Sequence, residues 1–315
     1  MSTLAAAVET FASRLSQVSL TLLLLAVLLQ VANLLLRATA WRAVLAAAMP
    51  NQRVRWRGVT GAYLAGTGVN SVLPARGGDV ARVVLASRSI PGSCCTLIAS
   101  GLLVETLLDG VIGGGLVAWA VWSGAMPLEL LEQRPPGGAG VVVVIAAALA
   151  GAAFIAVGRA RGRMLRVARN LRRGLAILTM PRIYLRTVAG PQATAWVARV
   201  AAMYCFLQAF HIDAGVGQAA LALLAGSITT VVPLTPGGVG TQQALLVVLL
   251  SGVASPAAAV SFGLGTQLVT TVVNVTLGGT CMGLMLGTMP WRARIALQPE
   301  PEPVPVPLPV ATSGE

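Results

Sequence analysis

The chain has 315 residues, of which 56% are hydrophobic and only 10% charged, with a mean hydropathy of +0.81 and a formal net charge of +12. A soluble domain of this size carries about 25% charged residues, and several apolar runs here reach the ~20 residues that cross a hydrocarbon core. These values exclude an ordinary soluble globular domain and point to an all-α, multi-pass membrane protein. All 22 basic residues are Arg. In a membrane protein their placement carries more meaning than their sum, and the interleaved aromatics and soluble motif of a nucleic-acid binder are missing, so no nucleic-acid partner is expected.

The first apolar run, Leu15 to Leu36, is too long for a signal-peptide core, and Glu9 and Arg14 leave its flank without net positive charge. It reads as a retained span. Arg37, Arg42 and the cluster Arg53, Arg55 and Arg57 follow, with Trp41 and Trp56 among them. This combination predicts an interfacial helix on the cytoplasmic side.

Residues 58–86, "GVTGAYLAGTGVNSVLPARGGDVARVVLA", are apolar but interrupted at Pro74, Gly77 and Gly78. A full span is expected at about 93–122. The loop 123–138 holds one Arg and two Glu and belongs outside, and a further span is expected at 139–158. Nine Arg lie between Arg159 and Arg186, which places 159–186 inside. Their attraction to anionic headgroups fits the same location.

A span at 190–210 leads to the second interrupted stretch, "GSITTVVPLTPGGVGTQQALLVVLL", residues 226–250. Pro233, Pro236, Gly237, Gly238 and Gly240 break it in the middle. The last span covers 257–288, and the acidic, Pro-rich end, 291–315, reads as a disordered cytoplasmic tail. That makes about five full spans and two broken helical hairpins.

The two breaks share a pattern: an apolar arm with glycine, then Val-Leu-Pro or Val-Val-Pro, then Gly-Gly, then a second arm. Pro74 and Pro233 lie 159 residues apart, about half the chain. Counting spans puts the first break inside and the second outside. The expected unit is therefore residues 1–290, with inverted halves 15–122 and 190–288 joined by 139–158 and the Arg-rich loop. Inverted halves with interrupted hydrophobic segments point to a transporter site near the midplane. Proline removes a backbone donor and glycine costs roughly 1 kcal/mol in a helix interior. A lipid-facing break leaves polar groups unsatisfied, so such a break is expected only inside protein or along a wet cavity. A plain loop between two short spans explains the Pro and Gly but not their recurrence.

Several polar residues sit inside these apolar stretches. Glu105 and Asp109, four apart on one helix face, are a proton or cation site, a counter-charge for Arg76 or Arg82, or a structural ion pair. Arg76 and Arg82 have the planar fork that suits lipid phosphate, while Asp79 either pairs with Arg82 or caps the second arm. Asn70, Gln242, Gln243 and Asn274 suit interhelical hydrogen bonds as well as ligand contact. Cys94, Cys95, Cys205 and Cys281 lack metal spacing and read as packing residues. The single histidine, His211, has no partner for a metal or catalytic centre, so neither metal nor cofactor is expected.

At these residues, "NSVLPARGGDVARVVL", "VETLLDG" and "PLTPGGVGTQQALL", the chain resembles the flippase-like integral membrane domain of lysylphosphatidylglycerol synthases, over roughly residues 15–290. The resemblance implies a multispan domain associated with moving a lipid across the bilayer. It also implies a stand-alone form, since only the short Pro-rich tail follows Pro290 where the synthases carry a soluble aminoacyltransferase domain. Some stand-alone relatives are thought to act with polyprenyl-linked sugars. The chain departs from the family at Thr106, where Arg is frequent, and at Gln242 and Gln243, where an acid is common. Both departures bear on any shared ion or proton mechanism.

The expected function is transport of an anionic or polyprenyl-phosphate-linked lipid between leaflets of the plasma membrane. Its expected site comprises Asn70, Pro74, Arg76, Gly77, Gly78, Asp79, Arg82, Glu105 and Asp109, with Pro233, Pro236, Gly237, Gly238, Gly240, Gln242 and Gln243 from the second break. Two alternatives stand beside it. One is a non-catalytic accessory subunit of a membrane glycosyltransferase, and the other a membrane-embedded lipid-modifying enzyme. Against an enzyme stand the lone histidine, the absence of an Asp-Asp-x-x-Asp metal motif and the lack of any nucleophile–base set. No Walker A run is present for ATP hydrolysis.

Overall fold

The computed structural model describes residues 18–73, 77–123, 176–231 and 240–288, and every regular element among them is helical. The first half consists of α1 (Leu20–Ala48), α2 (Trp56–Val72), α3 (Gly77–Ser89) and α4 (Cys95–Trp122). Short 3₁₀ and π turns between Ala176 and Ala189 lead into the second half. This consists of α5 (Gly190–Ala209), α6 (Val216–Val231), α7 (Thr241–Leu249) and α8 (Pro256–Thr288). The expected span 139–158, most of the Arg-rich loop and the tail lie outside the described residues.

Three of these helices, α1, α4 and α8, are long and apolar enough to cross a membrane. Their outward faces carry exposed side chains such as Leu24, Leu28, Leu107, Val111, Leu268 and Val272. In water that exposure would be costly, whereas a hydrocarbon surround leaves such faces in an apolar environment. The chain is a helical integral membrane protein.

Each half is a long helix, two short ones and another long one. Both interrupted stretches are split into short arms, as the Pro and Gly pattern predicts. Leu73 leaves α2 in an extended conformation, and a glycine with positive φ, Gly240 at 93°, opens α7.

Two apolar cores hold the bundle together. One gathers α5, α6, α7 and the start of α8, and takes in Ala26 of α1 and Ala120 at the far end of α4. The other gathers α1, α2, α3 and the start of α4, and takes in Cys281, Met282 and Met285 at the far end of α8. Each half thus lends the end of its last helix to the other half's core.

Helix directions follow from individual contacts. Ser19, at the start of α1, donates its N–H to the Ala209 carbonyl at the end of α5 (3.1 Å), while Arg37 lies near the beginning of α5. The two helices are therefore antiparallel. α2 and α8 are antiparallel as well: Ser71 accepts from Asn274 (3.1 Å), and Gly68 meets Gly278 one turn away. At that crossing a Cβ on Gly278 would lie 2.7 Å from the Gly68 Cα. Only a pair of glycines permits so close an approach, the device by which membrane helices gain contact without a hydrophobic driving force.

One expectation needs correction. Arg37 and Arg42 do not ride on a separate interfacial helix; α1 continues without interruption to Ala48. Trp41 is 1% exposed and packs in the core rather than at an interface. Trp56, at the start of α2, is exposed. The helix runs on past Arg37 because that charge has counter-charges inside the bundle.

Candidate functional site

α4 is apolar over most of its length, and Glu105 and Asp109 lie one turn apart on its inner side. Glu105 is 6% exposed. A charge in such a place is costly unless it is paired and hydrogen-bonded. Arg37 of α1 meets both acids. Its Nη2 and Nε lie 2.8 and 3.2 Å from Glu105 Oε1, its Nη1 lies 3.1 Å from Asp109 Oδ1, and its Nη2 also contacts Asp109 Oδ2. One planar guanidinium spans two carboxylates, an arrangement that an ammonium group could not reproduce.

Other helices complete the shell. Tyr63 of α2 accepts from Arg37 Nε (2.9 Å) and donates to Glu105 Oε1 (2.8 Å). From α3, Arg82 Nη1 reaches Glu105 Oε2 at 3.4 Å, and its guanidinium lies 3.9 Å over the Tyr63 ring. From α5, Gln192 Nε2 and Trp196 Nε1 both donate to Asp109 Oδ1, at 3.0 and 2.9 Å. Gln192 also donates to the Glu105 carbonyl at 3.1 Å. Five helices from both halves converge on two carboxylates.

The cluster is asymmetric in strength. Arg37 holds the acids tightly, whereas Arg82 makes one long contact to Glu105 and a weak one, 3.9 Å, to Asp79. The Arg82 Nε hydrogen is buried with no acceptor. The α3 arm is thus held to the cluster by one long hydrogen bond to Glu105 and by the stacking of Arg82 on Tyr63 and Trp41.

At the first break, Asn70 caps the second arm. Its Oδ1 accepts the Gly78 N–H at 2.7 Å, and its Nδ2 donates to Asp79 Oδ1 at 3.0 Å. Asn70, rather than Asp79, is the capping residue. Gly78 is packed tightly against α2, where a Cβ would overlap the Gly66 carbonyl oxygen, so this glycine closes the hairpin and is not open to a ligand. Gly77 faces Leu73. Pro74 and Arg76 lie outside the described residues.

At the second break, Gly240 donates its N–H to Gln243 Oε1 (2.6 Å), and Gln243 Nε2 donates to Gln267 Oε1 on α8 (3.0 Å). The side chain of Gln242 approaches Gly226 on α6. Pro233, Pro236, Gly237 and Gly238 lie outside the described residues.

The structure thus joins Glu105, Asp109, Arg82 and Asp79 of the expected set into one chain of contacts, with Asn70 at its edge. It keeps Gln242 and Gln243 at the other break, Gln243 in an amide pair with Gln267 and Gln242 beside Gly226. Arg82 pairs with Glu105, one of the alternatives that the sequence leaves open. Sequence reading missed the main one, Arg37, together with Tyr63, Gln192 and Trp196. A signal existed for Arg37, because "ATAWRAVLAAA" after it is apolar enough to continue a buried helix. None existed for Gln192 and Trp196, whose role depends on how α5 packs. Among the described residues no three His, Cys, Asp or Glu side chains come together as metal ligands would.

An ion-paired cluster shared by the helices of a membrane bundle, beside an interrupted helix, defines an integral membrane domain with a polar interior. Residues 2–278 match the family described as lysylphosphatidylglycerol synthase TM region, and the chain belongs to that family. No curated protein and no solved structure matches it. Membership associates the chain with lipid modification or transport.

Proposed function

We propose that the protein moves a lipid with an anionic or polyprenyl-phosphate-linked headgroup between leaflets of the plasma membrane, with its C-terminal tail in the cytoplasm. The observation that carries this reading is the Arg37–Glu105–Asp109–Arg82 cluster, inside an apolar bundle where charge is costly and next to a broken helix. No nucleophile–base pair lies among the contacts of that cluster, which favours carrying a lipid over modifying it.

Helix pairing supports alternating access. Exchanging α1 with α5, α2 with α6, α3 with α7 and α4 with α8 turns the main helix pairings into one another, although α2 packs on α8 far more extensively than α6 on α4. Gly61, early in α2, meets Met285 late in α8, just as Gly217, early in α6, meets Trp119 late in α4. A two-fold axis relating the antiparallel pair α1 and α5 runs perpendicular to both, hence in the membrane plane. This pairing supports the inverted-repeat reading. Rocking one half against the other would open the cluster to each leaflet in turn, with the Gln192 and Trp196 hydrogen bonds to Asp109, which join the two halves, as the contacts that part.

The test uses proteoliposomes holding the full chain and a fluorescent phosphatidylglycerol, with an impermeant quencher reporting the outer leaflet. Faster loss of the protected fraction than in protein-free liposomes is expected. Equal rates would overturn the transport reading.

A further inference from the structure

We infer that Arg199 of α5 binds the phosphate group of the ligand, which takes the place that a side-chain carboxylate occupies beside Arg37. This rests on the reading of the protein as one that binds lipid, but not on transport.

A common offset of 162 residues carries Arg37 to Arg199, Gly78 to Gly240, Gly101 to Gly263 and Glu105 to Gln267. The contacts run parallel to this correspondence, one residue out of register at the short arm, where the offset carries Arg82 to Ala244 beside Gln243. In the first half, Arg82 of the short arm α3 reaches Glu105 on the long helix that follows. In the second, Gln243 of the short arm α7 reaches Gln267 on the long helix that follows. The second half therefore repeats the first with the acid replaced by an amide. The same offset carries Asp109 to Thr271, which is also neutral. The arginine persists and both of its carboxylates are gone.

The consequence is visible at Arg199. Among the described residues no carboxylate lies within 4.0 Å of the Arg199 guanidinium. Its guanidinium lies over the Trp196 ring, 5.2 Å from the ring centre, and the side chain is only partly buried. Asp109 is close enough to share its field, yet Asp109 already accepts from Arg37, Gln192 and Trp196. A guanidinium midway along a helix packed within a membrane bundle is costly without a counter-ion. The anion most abundant in a bilayer is lipid phosphate, and a planar fork held against an indole ring matches two phosphate oxygens. Trp196 thus bridges two functions: its N–H holds Asp109, and its ring orients Arg199.

The experiment measures binding by native mass spectrometry of the full chain. It compares phosphatidylglycerol with monogalactosyldiacylglycerol of the same acyl chains, which has no phosphate. Wild type is expected to prefer phosphatidylglycerol by roughly tenfold or more, the scale of a charge-assisted hydrogen bond. Arg199→Ala should lose that preference and Arg199→Lys keep part of it, both melting at the wild-type temperature because no acid is orphaned. Retention of the full preference by Arg199→Ala would overturn the inference. So would a lowered melting temperature of Arg199→Ala that Asp109→Asn restores, since Arg199 would then be a distant counter-charge. Competition with inorganic phosphate separates the sources. Displacement of the lipid marks a site for the free anion, and undisturbed lipid binding marks a headgroup site. A chain that shows Arg199-dependent binding but no leaflet exchange would retain this inference and lose the transport reading.

Discussion

Glu105 and Asp109 survive inside the bundle because Arg37 meets both at once and Tyr63, Gln192 and Trp196 occupy the remaining lone pairs. A buried ion pair of this kind adds little net stability, since desolvation offsets the attraction, but removing one partner strands the others. Arg37→Met leaves two carboxylates without their main partner and is expected to cost about 3–5 kcal/mol, seen as loss of expression and an early melting transition in detergent. Adding Glu105→Gln and Asp109→Asn to Arg37→Met removes the stranded charges, and most of the lost stability should return. If the triple variant melts as early as the single one, the cluster contributes through shape rather than charge. Lipid transfer should stay abolished in the triple variant even where folding recovers.

Among the elements, glycine contacts set how closely helices approach. The crossing of α2 and α8 brings Gly68 and Gly278 nearly backbone to backbone. Gly278→Leu is expected to cost at least about 1–3 kcal/mol by overpacking, and Gly68→Leu a similar amount. Their effects should not add in the double variant, because either one forces the same separation; the check is a double-mutant comparison of melting temperatures. The second break behaves differently on the reading proposed above. Replacing Gly237 and Gly238 by Leu should leave membrane insertion largely intact and abolish lipid transfer in proteoliposomes. Normal transfer by that variant would reduce the break to a connecting loop.

At the scale of the molecule, two halves share their cores, each receiving the end of the other's last long helix. On the inverted-repeat reading proposed above, the loops face fixed sides of the membrane. Single cysteines placed in a Cys-less background are expected to react with an impermeant thiol reagent from outside at 123–138 and at 211–217. Cysteines in 159–186 should react only after the membrane is opened. Labelling of 159–186 from outside would contradict the inversion.

The membrane class, the long helices α4 and α8 and the two interruptions were legible from the chain, because hydropathy and the Pro-Gly pattern are local properties. Glu105 and Asp109 stood out for the same reason: they are acids in an apolar run. Tertiary packing decided the rest. Whether Arg37 ends a span or continues one depends on an acid 68 positions away in sequence, and α1 runs to Ala48 only because that acid lies beside it. Gln192 and Trp196 on one side, and Gly68 and Gly278 on the other, acquire their roles from helices that meet late in the fold. Charge in a bilayer is tolerated pairwise, and pairs between distant segments are set by packing, not by neighbours along the chain.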